Sequence, residues 1–520
     1  MNAWPKLRLF FALLASAGAL AACGGGGSNS PAALPSARPS ASPRASATPT
    51  PAATSSATAS PKATPSGSPS PAPTLSPSPA PTASPTPGSG SGNVGVGVGP
   101  AKIKHVVFVV EENRSFDNIF GGFDASGNPF PGADVWSNPD PGEPTPHDHN
   151  GNPVQMQQGL LEDCYSPAHY HPNAVQDVDG GAMNGFDLEP VSKLTCAPGT
   201  PPPTFPYRYV AESEVAPYWQ LGEQYVVADR MFEPMSSGSF GAHLYLAAAQ
   251  SANTIDEPSN TPWGCDAPVG TFVDVITDNG GEVPGVPPCF DIASFADELD
   301  LRGISWRYYA AARSDYGYLW SVFDAFDRIR NGPEWTSNVI NPPAQFLTDV
   351  GNGSLAAMTW ITPTLETSDH PVSHSNLGPS WVASVVDAVA ASQFWNSTAI
   401  FITWDDWGGW YDHVPPPTLS PTALGIRVPL IVVSPYARSG YVSHVTHTTG
   451  SVLHFAEEAL NVPSLGQEDA RADDLSDAFD FSQTPRALRT QLRLRYPLSA
   501  VRRAASVSRG RPGGALPDDD

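Results

Sequence analysis

The sequence predicts an α/β fold in which a largely parallel central sheet is flanked by helices, with long irregular loop insertions. Short apolar runs typical of buried strands recur along the chain, and stretches of helix-forming residues lie between or after them. The strand candidates are residues 106–110, 225–232, 304–309, 355–361, 399–404 and 428–433, and the helix candidates are residues 238–250, 292–301, 380–394 and 451–460. Residues 121–206, rich in Pro, Gly, Asp, Asn and His, are expected to form a functional or inserted loop.

The N-terminus has the features of a secretory signal in residues 1–23. Lys6 and Arg8 precede an apolar segment, residues 9–20, that is too short and too rich in small residues for a stable membrane span. Residues 20–23, Leu-Ala-Ala-Cys, resemble the lipobox of bacterial lipoproteins, in which Cys23 becomes the lipidated N-terminus. An ordinary signal peptide with a chance cysteine is the alternative. Lipidation would anchor an exported protein to a membrane, facing the periplasm or the cell exterior.

The remaining chain divides by composition. Residues 24–100 consist of Gly, Ser, Pro, Ala and Thr with almost no large apolar side chain, and such a segment is expected to form a disordered, extended tether. Residues 101–495 carry the apolar and aromatic residues of a folded domain, and residues 496–520 are predicted to be a disordered tail.

The charge of the chain restricts its partners. The whole chain has a formal net charge of −24, and its first 100 residues contain five basic residues and no acidic one, which leaves −29 for the rest. Such an acidic domain argues against nucleic acid as a partner. An anionic substrate would need a metal ion or a local basic site.

The cysteines fit an exported protein. Besides Cys23 there are four, an even number, and they lack the close spacing of a zinc site. We expect two disulfides, in any of three pairings, among Cys164, Cys196, Cys265 and Cys289.

Two strand candidates end in polar residues. The first, residues 106–110, runs into Glu111, Glu112, Asn113 and Arg114, and the second, residues 399–404, runs into Asp405 and Asp406 before two glycines. In α/β folds the ligand crevice lies outside the carboxyl ends of the strands. Carboxylates from two strand ends suit a divalent cation with oxygen ligands. Solvated charge clusters in turns are the alternative.

Other candidate groups are a serine and several histidines. Ser239 lies at the start of a predicted helix, where it could be a nucleophile activated by a metal or simply an N-cap. Histidines such as His370, His413 and His444 could bind metal or protonate a leaving group in a cleft, although a single histidine is more often structural.

Six motifs in order resemble the bacterial phosphoesterase family, which includes non-specific phospholipase C enzymes and acid phosphatases, over residues 102–486. They are Glu-Asn-Arg-Ser-Phe-Asp at 112–117, the segment 181–186, Asp-His-Pro at 369–371, Trp-Asp-Asp-Trp-Gly-Gly-Trp-Tyr-Asp-His-Val at 404–414, and the segments 427–434 and 473–480. The resemblance implies an alkaline-phosphatase-like fold and a metal-dependent hydrolase of phosphate esters.

The resemblance also assigns roles to residues. It places Glu112, Asp405 and Asp406 at a divalent metal of unknown identity, Asn113 at metal and phosphate, and Ser239 in the position of the nucleophile. His370, His413 and Asn113 would act in catalysis beside Ser239. The substrate-binding candidates are Asn113, Arg114, His169, His243 and His444. The chain departs from the family pattern in several places. Ser239 replaces a threonine and so keeps the hydroxyl, and Gly-Ala replaces Pro-Asn at 241–242. His243 replaces an arginine, Trp407 replaces a histidine, and Thr448 stands where an acidic residue usually follows His444.

The resulting hypothesis is an exported, lipid-anchored phosphoesterase of the phospholipase C type, with phospholipid or a small phosphate ester as substrate. The alternatives are an acid phosphatase acting on small phosphomonoesters and a catalytically idle surface lipoprotein that binds phosphorylated ligands.

Overall fold

A computed structural model describes residues 99–506, except for 194–195, 198, 278–280, 374, 419–423, 489–491 and 493. The predicted signal, the lipidation site at Cys23 and nearly all of the predicted tether lie outside the described residues.

The described residues contain fifteen strands, eleven α-helices and several short 3-10 helices. The strands are β1 His105–Glu111, β2 Gln157–Gly159, β3 Tyr165–Pro167, β4 Val191–Lys193, β5 Arg208–Val210, β6 Val226–Ala228, β7 Thr254–Ile255, β8 Val273–Ile276, β9 Glu282–Val286, β10 Trp306–Tyr309, β11 Val339–Ile340, β12 Met358–Ile361, β13 Thr398–Trp404, β14 Leu430–Val433 and β15 Tyr441–Ser443. The helices are α1 Phe116–Phe120, α2 His171–Val178, α3 Ala216–Gln224, α4 Ser239–Ala248, α5 Phe295–Leu301, α6 Asp327–Arg330, α7 Glu334–Ser337, α8 Gln345–Gly351, α9 Gly378–Ala390, α10 Thr449–Leu460 and α11 Leu498–Ala504.

Eight of these strands form one central sheet in the order β11-β10-β12-β1-β13-β14-β6-β15. Only β14 runs antiparallel to its neighbours, and the other adjacent pairs are parallel. The predicted α/β class with a largely parallel sheet is therefore confirmed. All six predicted strands and all four predicted helices are present, although the strand predicted at 225–232 is shortened to β6.

The two central strands, β1 and β13, are the longest in the sheet and almost fully buried. All seven residues of β13 are buried, and in β1 only His105 is partly exposed. A strand buried on both faces reads as a continuous apolar run rather than an alternating one, as expected for a parallel sheet covered by helices. Because β1 and β13 are adjacent and parallel, with Glu111 opposite Trp404, their carboxyl ends meet at one edge of the sheet.

The predicted loop insertion, residues 121–206, is mostly irregular but contains the short strands β2, β3 and β4 and helix α2. A disulfide between Cys164 and Cys196 closes part of this region, and a second disulfide joins Cys265 to Cys289. The prediction of two disulfides is confirmed, and the structure selects one of the three pairings.

The C-terminal segment contains more structure than the sequence indicates. Helix α11 lies within the predicted tail, where Val501 and Ala504 are buried. The backbone nitrogen of Ala344 donates a hydrogen bond to the carbonyl of Ala505, which attaches this end of the chain to the domain. Across the described residues, no helix combines the length and apolarity needed to cross a membrane.

Candidate functional site

The polar residues that follow β1 and β13 form one buried cluster. Asp405 donates its backbone N–H to the carbonyl of Glu111 (3.2 Å), and Arg114 donates its own to the carbonyl of Asp406 (3.0 Å). The backbone N–H of Asn113 donates to Oδ1 of Asp405 (3.0 Å). Glu112, Asn113, Asp405 and Asp406 are each at most 1% exposed. The structure therefore brings together the carboxylates that the sequence placed at two strand ends.

Close backbone packing holds these two strand ends together. Asn113 has a φ of 60°, a left-handed conformation that asparagine tolerates better than most residues. Gly408 and Gly409 also have positive φ, 63° and 69°. A Cβ on Gly408 would lie 2.2 Å from the carbonyl oxygen of Asn113, and one on Gly409 would lie 2.5 Å from the carbonyl oxygen of Ala168. Glycine at 408 lets the chain pass close to the backbone of Asn113, and glycine at 409 lets it pass close to the backbone of Ala168.

Helix α4 brings Ser239 to the same cluster. The N-cap of α4 is Gly238, so Ser239 is the first helical residue and not the cap. Its Oγ donates to Oδ2 of Asp406 (3.1 Å) and lies 3.5 Å from Oδ1 of Asn113. Glu257 anchors the start of the helix by accepting the N–H of Phe240 (3.1 Å). The hydroxyl of Ser239 is thus directed at the carboxylates.

His243 lies one turn further along α4, on the same helix face as Ser239. Its Nε2 is 3.3 Å from Oε1 of Glu112 and 3.4 Å from Oδ2 of Asp405. These three residues form a group whose potential ligand atoms all lie within 4.8 Å of one another.

Two other predicted histidines border the cluster. The Nδ1 of His169 lies 3.0 Å from the carbonyl of Pro167, so it carries the proton and donates there. Its Nε2 then accepts from Nδ2 of Asn113 (2.7 Å), which turns Oδ1 of Asn113 toward Ser239. The ring of His370 stacks on Trp320 and has its centroid 6.1 Å from that of His169.

Arg114 lies beside the cluster but directs its guanidinium elsewhere. It is fully buried and donates to the carbonyls of Asp369 and Leu161 and to the side chain of Asn118. These contacts fix the loop after β1. Its predicted role in substrate binding stays a prediction.

His413 belongs to a second buried network. Its Nδ1 pairs with Oδ2 of Asp117 (2.6 Å) and its Nε2 with Oδ1 of Asp134 (2.9 Å). Arg427 joins the network through Oδ1 of Asp412 (2.8 Å). Burial lowers the pKa of His413, but the charge and hydrogen bonds of the two aspartates outweigh burial and raise it to about 9. His413 is therefore a charged structural link in this arrangement, and its predicted catalytic role stays a prediction.

His444 lies at the outer side of this second network. Its side chain is 57% exposed, and its Nδ1 is 2.9 Å from Oδ2 of Asp229. Asp229 in turn accepts the backbone N–H of Asp134 (2.8 Å). The structure therefore groups His444 with His413 and Arg427, while its predicted substrate contact stays untested.

The first cluster contains buried carboxylate oxygens that make no hydrogen bond. Both carboxyl oxygens of Glu111 and Oδ2 of Asp405 have no hydrogen-bond partner among the described residues. Burial, followed by the nearby charges of Asp369 and Asp405, holds the pKa of Glu111 well above its ordinary value. Burial and then the charge of Asp406 do the same for Glu233. Buried carboxylates are usually paired or bound to metal, so this donor set fits a divalent cation.

Several residues around the site were not anticipated. Asp369 accepts from Tyr218 (2.8 Å) and Trp404 (3.1 Å), and burial raises its pKa to about 6 despite Arg114. Its place in the Asp-His-Pro motif could have indicated it. Trp407, which replaces the family's histidine, donates its Nε1 to Oδ2 of Asp177 (3.0 Å). No sequence signal indicates that partner, because it lies 230 residues away inside the loop insertion.

Comparison with known proteins identifies the family of this chain. The sequence model of the Phosphoesterase family matches residues 103–463, and the chain belongs to that family. It is accordingly a hydrolase that acts on phosphate esters. Phospholipase C B of Mycobacterium tuberculosis (strain ATCC 25618 / H37Rv) is 26% identical over 443 residues, which span 74% of this chain and 78% of that protein.

More distant relatives share the phospholipase C name. Non-hemolytic phospholipase C of Burkholderia pseudomallei is 25% identical and covers 73% of this chain and 59% of that protein. Non-specific phospholipase C1 of Arabidopsis thaliana is 23% identical and covers 70% and 66%. Among solved structures, an alkaline phosphatase superfamily protein from Vibrio parahaemolyticus matches 61% of this chain and 69% of its own at 10% identity, with a TM-score of 0.30.

Gly408→Ala tests the close approach of the two strand ends. We expect a loss of unfolding free energy of about 2–4 kcal/mol, because the added Cβ meets backbone and the positive φ disfavours alanine. Chemical denaturation measures this loss. Gly466→Ala is the matched control: its φ is 77° but nothing lies within 4 Å of the new Cβ. Equal losses in the two variants would contradict the proposed backbone contact.

The raised pKa of His413 predicts a pH-dependent contribution to stability. Protonated His413 stabilises the fold fully below its unfolded pKa of about 6.5, and this contribution, on the order of 3 kcal/mol, is lost as the pH rises through about 9. The unfolding free energies of the native protein and His413→Gln should therefore converge between pH 6.5 and 9. A constant difference across that range, or the same convergence in the surface variant His454→Gln, would contradict the charged state of His413.

Proposed function

We propose that this protein is an exported, metal-dependent phosphoesterase of the phospholipase C type in which Ser239 is the nucleophile. The observation that carries the proposal is the hydroxyl of Ser239, 3.1 Å from the carboxylate of Asp406 and next to Asn113 and Glu112 in a cluster of buried acids. A serine whose only task were to cap α4 would occupy position 238 and would direct its oxygen at the backbone.

The residues that would hold the metal ion are Glu112, Asn113, Asp405 and Asp406. Their oxygens converge from the ends of β1 and β13, and Oδ2 of Asp405 has no hydrogen-bond partner in the described chain. A divalent ion in this position supplies positive charge that neutralises phosphoryl oxygens and favours the deprotonated form of a nearby hydroxyl.

The protein's own groups then account for the steps of the reaction. Asp406 Oδ2 is positioned to accept the proton as Oγ of Ser239 attacks phosphorus in line with the leaving alcohol. An oxygen–phosphorus bond forms to Ser239, the bond to the leaving group breaks, and His370 donates the proton that the alcohol requires. Water then cleaves the phosphoseryl ester and regenerates the hydroxyl.

Export and substrate class rest on separate observations. Two disulfides are typical of an oxidising compartment, which agrees with the signal and lipobox pattern in residues 1–23. The phospholipase C names of relatives at about 25% identity support a phospholipid or related phosphodiester as substrate. A lipid anchor would keep the domain beside such a substrate.

Substrate access requires movement, because Ser239 is 0% exposed. The segment after β3 lies over the cluster: the carbonyl of Ala168 abuts Gly409, and His169 contacts Asn113. We infer that displacement of this segment opens the site.

Ser239→Ala tests the nucleophile. We expect kcat to fall by at least about 10³-fold, because the covalent step is removed while the fold is retained. Ser236→Ala is the matched control, since among the described residues its Oγ makes only a 3.5 Å contact, with the carbonyl of Leu424. The full-length protein is assayed with p-nitrophenyl phosphate and p-nitrophenyl phosphorylcholine. Undiminished turnover in Ser239→Ala would rule out this residue while leaving the family assignment intact.

Metal removal tests the role of the acidic cluster. Dialysis against a chelator should abolish turnover, and a divalent metal should restore it, because the buried carboxylates cannot approach an anionic phosphate without a cation. The same assay separates the substrate classes: preference for the phosphorylcholine ester supports a phospholipase C, and preference for the monoester supports a phosphatase. Chelator-resistant activity would contradict metal dependence. The absence of turnover with every divalent metal would favour the idle binding protein.

A further inference from the structure

We propose that Nε2 of His243 is a nitrogen ligand of the metal ion at the Ser239 site, and that it makes the site select a transition metal such as zinc over magnesium or calcium. The inference rests on the proposed function, since it adds a ligand to the same site. It concerns a position where this chain departs from the family pattern, which has an arginine there.

The distances around Nε2 of His243 are those of ligands that share an ion. Three carboxylate oxygens lie almost equally far from it: Oε1 and Oε2 of Glu112 at 3.3 and 3.4 Å, and Oδ2 of Asp405 at 3.4 Å. A charge-assisted hydrogen bond from Nε2 to one of these oxygens would be shorter, as the 2.6 and 2.9 Å contacts of His413 show within this protein. Two ligands bound tetrahedrally at about 2.0–2.1 Å are separated by about 3.3–3.4 Å.

The burial and hydrogen bonding of the individual atoms support the same arrangement. His243 is 2% exposed, and its Nδ1 has no hydrogen-bond partner in the described part of the chain. Coordination through Nε2 would place the ring proton on Nδ1 and leave the Nε2 lone pair for the ion. Oδ2 of Asp405 is also buried without a hydrogen bond. A cation between these atoms would remove the cost of leaving a charged oxygen unsatisfied.

The proposed metal ligands come from two parts of the fold. The ends of β1 and β13 supply Glu112 and Asp405, whereas α4 supplies Ser239 and, one turn later, His243. Without His243 the donors are carboxylate, amide and hydroxyl oxygens, which suit magnesium, calcium or manganese. An imidazole nitrogen shifts the preference of a mixed site toward zinc and other transition metals.

The experiment measures metal binding by the full-length, chelator-treated protein rather than activity. Zinc and magnesium dissociation constants are determined for the native chain, His243→Gln and Asp405→Asn. His454→Gln is the matched control, because His454 lies on α10 and bonds the carbonyl of Ala472. We expect His243→Gln to raise the zinc dissociation constant by about 100-fold or more. Loss of a residue that only hydrogen-bonds a metal ligand costs roughly 10- to 100-fold in affinity, and loss of the ligand itself should cost at least as much. Magnesium binding should change by less than about threefold, as expected for an ion that prefers oxygen ligands.

A second measurement detects imidazole coordination directly, first in the native protein. The protein is loaded with Cu²⁺, and pulsed electron paramagnetic resonance records modulation from the remote nitrogen of a coordinated imidazole. We expect this modulation in the native protein and in His454→Gln, and its loss in His243→Gln.

The outcomes separate the two proposals. If Asp405→Asn abolishes metal binding while zinc affinity and imidazole modulation survive in His243→Gln, the inference about His243 is overturned and the metal site of the proposed function stands. If the native protein binds no metal, the metal-dependent function itself is refuted. If Asp405→Asn binds metal unchanged, the placement of the ion at Asp405 is refuted, and the inference about His243 with it.

Discussion

The adjacency of β1 and β13 in a parallel register is the constraint on which the site depends. Each strand alone would end in a solvated acidic turn. Side by side, with Glu111 opposite Trp404, they force Glu112 and Asp405 into one desolvated space. Burying like charges is unfavourable unless a cation compensates them, so the sheet order itself creates the requirement for positive charge.

Two buried acidic clusters in the described residues differ in how their negative charge is compensated. Around His413 the imidazolium and Arg427 form ion pairs with Asp117, Asp134 and Asp412, and each of these carboxylates is hydrogen-bonded. Around Ser239 the compensation is incomplete: Glu111 and Asp405 keep buried oxygens without hydrogen bonds. The cluster around His413 holds loops together. The cluster around Ser239 has buried, uncompensated carboxylate oxygens, as expected of a cation site.

The sequence predicts the sheet and the site carboxylates because both depend on local signals. Apolar runs that end abruptly in acids mark β1 and β13, and the ordered motifs identify the family. The sequence does not reveal which buried acids have a cationic or hydrogen-bonding partner, since the partners of His413 and Trp407 lie hundreds of residues away. Helix α11 was missed because its apolar face, Val501 and Ala504, is too short to stand out from a tail rich in Arg and Gly.

The most direct test of the account is to trap the covalent intermediate. The full-length, metal-loaded protein is mixed with p-nitrophenyl phosphorylcholine, quenched in acid within the first turnover, digested and mapped by mass spectrometry. The account predicts a phosphorylcholine adduct on the peptide that contains Ser239, with one equivalent of p-nitrophenol released in the burst. An adduct on a different residue would contradict the assignment of Ser239. Steady turnover with neither burst nor adduct would indicate direct attack by water and contradict the serine mechanism.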